Sequence, residues 1–254
     1  MADLTGRRAL VTGAGSGMGR GIALRLARDG AAVAVLDVVA TAAEETVATV
    51  RAGGGTAVPL AADVADEQAL AGAVSAAAGA LGGLDVLVPN AAVQAFGADA
   101  RVHELDSAVW QRTVSVNLGG AFLTLKHGLP HLMAAGGGSV VVIGSPTGFV
   151  ATAPGFTAYS ASKGGLLALV RVVAVDYARE GVRANLVVPG FTDTPLVRDI
   201  LESPDDLQAM LATIPLGRPG TAEEVGAMVA FLASDDARYA TGGVFTVDGG
   251  MTAV

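Results

Sequence analysis

Thr12-Gly13-Ala14-Gly15-Ser16-Gly17-Met18-Gly19-Arg20-Gly21 separates a short apolar run, Ala9 to Thr12, from an amphipathic stretch carrying Ile22, Leu24 and Leu26. A glycine-rich turn between strand and helix lets the backbone approach a ligand closely, and it leaves free N–H groups at the helix N-terminus where a pyrophosphate can sit. The spacing is TGxxxGxG rather than GxGxxG, with Gly13, Gly17 and Gly19 as its fixed points and Ser16 and Met18 between them. Such a turn can also be no more than a tight connection, but its position at the first strand-to-helix crossing favours a nucleotide cradle.

Outward from this turn one rhythm repeats. Short apolar runs (Ala9 to Thr12, Ala32 to Leu36, Thr56 to Leu60, Val86 to Val88, Ser139 to Ile143, Arg183 to Val188, Val244 to Val247) alternate with helical stretches near 17–29, 41–52, 66–80, 105–134, 158–180 and 221–234. Continuous apolar strands alternating with helices predict an α/β fold: a doubly wound, mostly seven-stranded parallel sheet covered on both faces, with ligands at the strands' carboxyl ends. Residues 191–219 break the rhythm as a loop or irregular helix, and an insertion of that length is typically functional. No composition break divides the 254 residues, so 1–254 reads as one catalytic domain.

Composition narrows the function. A net charge of −8 and a pI near 4.8 oppose nucleic-acid binding, which needs a basic surface. The chain has no cysteine, and His103, His127 and His131 form no HExxH; His127 and His131 share a helical spacing without an evident third ligand, so no metal site is expected. Neither a signal-peptide pattern nor an uninterrupted apolar run of about 18 residues is present, and a cytoplasmic protein with no membrane partner is the expectation.

Eighteen residues past Gly19 the second strand ends in Leu36-Asp37. A carboxylate there accepts hydrogen bonds from the adenosine ribose hydroxyls and repels a 2′-phosphate; Val38 and Val39 follow instead of Arg or Lys, and Ser16 stands where a basic residue would meet that phosphate. The expectation is NAD(H), with a plain turn as the competing role for Asp37. Asp63, followed by Val64, suits either the adenine edge or the N-cap of a helix over 65–80.

Tyr159-Ser160-Ala161-Ser162-Lys163 then supplies proton-transfer groups. A phenol and an ammonium four residues apart share one helix face, and an opposite charge within a few ångströms lowers a pKa by about 1–3 units, so Lys163 can make Tyr159 a usable acid/base near neutral pH. Ser145 ends an apolar strand in Ile143-Gly144-Ser145, which brings its hydroxyl to the same carboxyl edge. Asn117 sits mid-helix, where Asn is a poor helix former, which predicts a local kink, a backbone-linked polar role, or a surface or capping role.

The ordered set TGxxxGxG (12–19), Asp37, Asp63-Val64, Asn90-Ala91, Asn117, Ser145, Tyr159 with Lys163, Pro189-Gly190 with Thr194, and Val247-Asp248-Gly249-Gly250 resembles the short-chain dehydrogenase/reductase family across essentially the whole chain. The resemblance implies a Rossmann fold and an NAD-dependent oxidoreductase interconverting a secondary alcohol and a ketone by hydride transfer. It further implies Tyr159 as the proton-exchanging group, Lys163 lowering its pKa and binding the nicotinamide ribose, Ser145 holding the reacting oxygen, and Asn117 holding a relay water. Pro189, Gly190, Thr192 and Thr194 would flank the nicotinamide, and the long helices at 105–134 and 158–180 with the last strand would build a homotetramer or dimer.

Two departures stand out. Pro89-Asn90-Ala91-Ala92 replaces the usual Asn-Asn-Ala-Gly, and the interval from Ser145 to Tyr159 is one residue longer than common, which a bulge between Gly148 and Gly155 can absorb. Val93, Phe96, Phe149, Val150, Phe191, Leu196, Val197 and Ile200 are candidate walls of a largely apolar substrate pocket, while Gln94, Arg101, His103 and Arg198 are the groups that could orient a polar or acidic small-molecule substrate. Two other functions remain open at this level: an NADPH-dependent 3-oxoacyl-carrier reductase, which Asp37 and the acidic net charge oppose, and a non-catalytic dinucleotide sensor, which need not keep both Tyr159 and Lys163.

Overall fold

A computed structural model describes residues 2–151 and 154–253. Strands β1 (Arg8–Thr12), β2 (Ala32–Asp37), β3 (Ala57–Ala61), β4 (Val86–Val88), β5 (Gly138–Ile143) and β6 (Val182–Pro189) lie within a residue or two of the apolar runs. The short strands β7 (Thr192–Asp193) and β8 (Gly220–Thr221) pair separately, and β9 (Val244–Val247) completes the main sheet. That sheet has seven strands in the order β3-β2-β1-β4-β5-β6-β9, and every pairing is parallel.

Strand periodicity sorts the core into two layers. Leu10, Leu36, Leu87, Val142 and Leu186 face helices α3 (Glu67–Leu81), α5 (Gly120–Ala134) and α6 (Thr157–Asp176). Ala9, Val35, Val88 and Val141 face α1 (Gly17–Arg28), α2 (Ala40–Ala52) and α9 (Ala222–Ala233). The first three strands step outward in one direction; α3 then carries the chain back past β1 to β4, and the remaining strands step the other way. A crevice therefore opens between the carboxyl ends of β1 and β4, the position expected for a ligand.

Two local features differ from the sequence reading. The helix expected over 105–134 is broken into α4 (Ser107–Val114), a π-helical turn (Ser115–Gly119) around Asn117, and α5. The insertion at 191–219 is partly ordered: α7 (Arg198–Glu202) and α8 (Pro204–Leu211) lie within it, and β7 and β8 close its base through Thr192–Gly220 and Asp193–Thr221 pairing. Of the bulge expected between Gly148 and Gly155, residues 152 and 153 lie outside the described residues. Helix α6 is long and apolar enough to cross a membrane by length and composition, yet Leu166, Val170 and Val173 pack into the first core layer.

Helices α1 and α9 meet at glycine. A Cβ at Gly21 would collide with the Cβ of Ala222, and one at Gly226 would stand 3.0 Å from the Cβ of Arg25. Because α1 carries the glycine turn, this contact holds the cradle in place. Gly21→Val is expected to destabilise the protein by about 1–3 kcal/mol through overpacking, read as a lower urea midpoint at unchanged m-value.

Candidate active site

A cavity of about 1380 Å³ runs along the carboxyl edge of the sheet. Every catalytic and cofactor-binding candidate named from the sequence lines it except Asn117. At its centre Gly13 has left-handed backbone (φ +63°), and a Cβ there would lie 2.8 Å from the Cα of Ala91. A Cβ at Gly19 would run into the Gly13 carbonyl oxygen. Both glycines therefore answer to packing among β1, α1 and the end of β4. Gly17 faces Thr194 and Pro195 on the other side of the cleft, at 3.5 and 3.4 Å from its would-be Cβ.

Helix α1 begins without the usual protection. Ser16 stands at its N-cap with extended backbone and no side-chain cap bond, and no acidic residue occupies the first turn. By contrast, Asp66 caps α3 and Thr221 with Glu224 forms a capping box on α9. The free N–H groups and positive end of α1 thus open onto the cavity and fit a pyrophosphate.

Asp37 ends β2 beside this turn. One carboxylate oxygen accepts from Gly15 N–H (2.8 Å) and the other from Val39 N–H (3.0 Å), so the group is oriented while its remaining lone pairs can accept from hydroxyls. Asp63 does not cap a helix: that role belongs to Asp66, which accepts from Ala69 N–H at 3.0 Å. Asp63 instead accepts from Ala65 N–H (2.9 Å) and pairs with Arg112 (3.1 Å), and these bonds, chiefly the first, hold its carboxyl below the ordinary range against the effect of burial. Asn90 is committed to the floor of the crevice. Its amide donates to the carbonyls of Thr12 (2.9 Å) and Gly13 (3.2 Å), while the Thr12 hydroxyl accepts from the N–H groups of Asn90 and Ala91.

Ser145, Tyr159 and Lys163 converge beyond that floor. Ser145 follows β5 and its hydroxyl lies 3.1 Å from that of Thr147. Lys163, buried on α6, donates to the Ile143 carbonyl (3.0 Å), and its Nζ lies 5.7 Å from the centre of the Tyr159 ring. The electrostatics differ from the simple phenol–ammonium expectation. Burial pushes the Tyr159 phenol above its ordinary value, and only a hydrogen bond with Ser145 works against it; burial pulls Lys163 down to about 8. The ammonium is turned to the Ile143 carbonyl, so at this stage desolvation outweighs the attraction between the two groups.

Asn117 lies behind this group rather than on the cavity wall. Its side-chain oxygen accepts from Val93 N–H (2.8 Å), and its amide donates to the Val93 carbonyl (2.9 Å) and the Ser162 hydroxyl (3.1 Å). The backbone-linked role and the local irregularity expected of a mid-helix Asn are both present, and the surface alternative is excluded by its 2% exposure.

One residue escaped the sequence reading. Phe156 at the N-cap of α6 offers no side-chain cap, and the carboxylate of Asp99 fills the gap, accepting from Ala158 and Tyr159 N–H groups at 3.0 Å each. Phe96 stacks edge-on against Phe156 with ring centres 5.7 Å apart. The loop after β4 is thereby fastened to the first turn of the helix carrying Tyr159.

At the far end, Pro189, Gly190, Thr192 and Thr194 line the cavity after β6. Val93, Phe96, Phe191, Leu196, Val197 and Ile200 form apolar walls as anticipated, joined by Met210 of α8. Phe149 and Val150 do not line the cavity; they are 43% and 39% exposed on the outer side of the turn after Ser145. Of the four groups considered for a polar substrate, only Gln94 lines the cavity.

Comparison with known proteins agrees with this geometry. A family profile described as Enoyl-(Acyl carrier protein) reductase matches residues 13–252. The cis-4-hydroxycyclohexanecarboxylate dehydrogenase of Sinomonas cyclohexanicum is 44% identical over 98% of this chain and 97% of its own, and the cyclohexanol dehydrogenase of Acinetobacter sp. (strain SE19) is 37% identical over 96% and 94%. The crystal structure of a gluconate 5-dehydrogenase from Burkholderia cenocepacia J2315 in complex with NADP and tartrate superposes with a TM-score of 0.93 at 31% identity, covering 99% of this chain and 97% of that one. With its glycine turn, its parallel sheet and these likenesses over nearly the full length, the chain belongs to the short-chain dehydrogenase/reductase family of nicotinamide-dependent oxidoreductases.

Proposed function

We propose that the protein is an NAD-dependent dehydrogenase that interconverts a secondary alcohol and its ketone, with Tyr159 as the proton-exchanging group. The observation that carries this reading is the convergence of Ser145, Tyr159 and Lys163 on the same cavity that the Asp37 carboxylate and the uncapped end of α1 line.

Gly13, Ser16, Gly17, Met18 and Gly19 would hold the pyrophosphate, Asp37 the adenosine ribose, and Asp63, Val64, Asn90 and Ala91 the adenosine side. Pro189, Gly190, Thr192 and Thr194 would hold the nicotinamide, which when bound supplies the hydride acceptor or donor. The protein's own work is then placement and proton transfer. Ser145 donates a hydrogen bond to the substrate oxygen, and Tyr159 takes that oxygen's proton on oxidation or returns it on reduction. Lys163 binds the nicotinamide ribose and supplies the positive charge that a tyrosinate needs. Asn117, bonded to Val93 and Ser162, keeps the π-helical turn open for a relay water. NAD over NADP follows from the Asp37 charge and the apolar Val38 and Val39 behind it. Exposed Trp110, Phe122, Val172 and Val175 on α4, α5 and α6 support assembly into a homotetramer or dimer, and dependence on the nicotinamide pool supports a cytoplasmic location.

Tyr159→Phe should lower kcat by about 10²–10⁴-fold while NADH binding, followed by fluorescence, stays near wild type; undiminished turnover would remove Tyr159 from the chemistry. Because kcat/KM for the dinucleotide reports groups of the free enzyme, it should be highest where Lys163 is protonated and decline as pH rises through about 8. A profile flat through that pH would separate Lys163 from dinucleotide binding. Asp37→Ser should relax the NAD/NADP ratio of kcat/KM by about tenfold or more, and an unchanged ratio would show that Asp37 does not read the ribose.

A further inference from the structure

We infer that the substrate end of the cavity selects uncharged, largely apolar alcohols and ketones and rejects anions of the same size, with Asp206 as a determinant of that choice. This rests on the dehydrogenase reading above and adds the charge class of its substrate.

Among the described residues, Arg112 and Lys163 are the cations lining the cavity. Arg112 is paired with Asp63 at the adenosine end, and Lys163 donates to Ile143 behind Tyr159. The apolar walls are formed by Phe96, Phe156, Phe191, Leu196 and Met210. Arg101 and His103, on the exposed part of the loop after β4, and Arg198, exposed on α7, do not line the cavity.

Helix N-termini are the other ready source of positive potential for an anion. Two helices of at least eight residues, α6 and α8, begin beside the substrate end, and the first turn of each already holds the protein's own carboxylates. Asp99 occupies the Ala158 and Tyr159 N–H groups of α6, and Asp205 and Asp206 occupy the first turn of α8. Asp206 also lines the cavity, is exposed, and makes no ion pair among the described residues. A carboxylate or sulfonate entering here would leave water for apolar walls, meet no unpaired cation among the described residues, and face a like charge. A neutral ring bearing one hydroxyl meets none of these costs. Its hydroxyl goes to Ser145 and Tyr159, and its hydrocarbon goes to the walls.

Two isosteres make the test: cis-4-hydroxycyclohexanecarboxylate and the matching carboxamide, oxidised with NAD by the wild-type enzyme and by Asp206→Asn. The expected result is a kcat/KM for the amide at least about tenfold above that for the acid, and a narrowing of that ratio by several-fold in Asp206→Asn. An acid used as well as or better than the amide overturns the inference, and a ratio unmoved by Asp206→Asn removes Asp206 from it. If neither ring is oxidised, the pair is compared as competitive inhibitors of any ketone the enzyme reduces, with an acid that binds as tightly as the amide again overturning the inference. Failure of the dehydrogenase reading has a separate signature: no nicotinamide-linked turnover of any alcohol or ketone, with dinucleotide binding intact.

Discussion

Between β1 and β4 the chain reverses the direction in which it adds strands, and the two carboxyl ends there must be held together while the connections lead away on opposite faces. Thr12 and Asn90 do this with four hydrogen bonds: two from backbone N–H groups to the Thr12 hydroxyl, and two from the Asn90 amide to the carbonyls of Thr12 and Gly13. All four lie in a part-buried setting where unpaired polar groups would be costly. The left-handed turn at Gly13 depends on this floor, since its backbone packs directly on Ala91. The orientation of α1, and with it the open N-terminus offered to a pyrophosphate, depends on that turn in its turn. Asn90 thus serves the crevice first as a structural bond and only through that as a cofactor-side residue, which also explains how the segment works although its neighbours are Pro89 and Ala92.

The same economy governs charge. The chain leaves the start of α1 bare at Ser16, where it would offer positive potential to an anionic ligand, and it places its own carboxylates at the starts of α6 and α8. Asp99 is the telling case. One carboxylate completes the first turn of α6, fixes the backbone of Tyr159 itself, and ties down the loop that carries Phe96. Positioning of a reactive side chain within about half an ångström requires support of this kind from its surroundings.

Much of this was legible in the sequence because its signals are local. Buried parallel strands read as continuous apolar runs, so all seven strands of the main sheet were located from Ala9 to Val247, and the glycine turn identified the first crossing. Asp37 was legible because a strand end and a charge suffice to give its place. What stayed hidden depends on partners far away in the chain. Asp99 caps a helix some sixty residues on, and nothing near Ala98-Asp99-Ala100 announces it. The π-helical turn at Asn117 is drawn out by Val93, which periodicity alone cannot see. The Ser203-Pro204-Asp205-Asp206 start of α8 did carry a signal, since Pro at the first position followed by acids is a helix opening, but the surrounding irregularity masked it. The direction of the Tyr159 shift is not legible in spacing, which reveals the Lys163 charge but not the burial that raises the phenol.

The central claim is that one dinucleotide lies across the carboxyl edge with its adenosine ribose at Asp37 and its nicotinamide between Gly190 and Tyr159. A crystal structure of the protein grown with NADH tests it most directly. The account predicts ribose hydroxyls within hydrogen-bond distance of the Asp37 carboxylate, the pyrophosphate against the N–H groups that open α1, and the nicotinamide facing Tyr159. A dinucleotide bound with its adenosine away from Asp37, or with its nicotinamide outside reach of Tyr159 and Lys163, would contradict it.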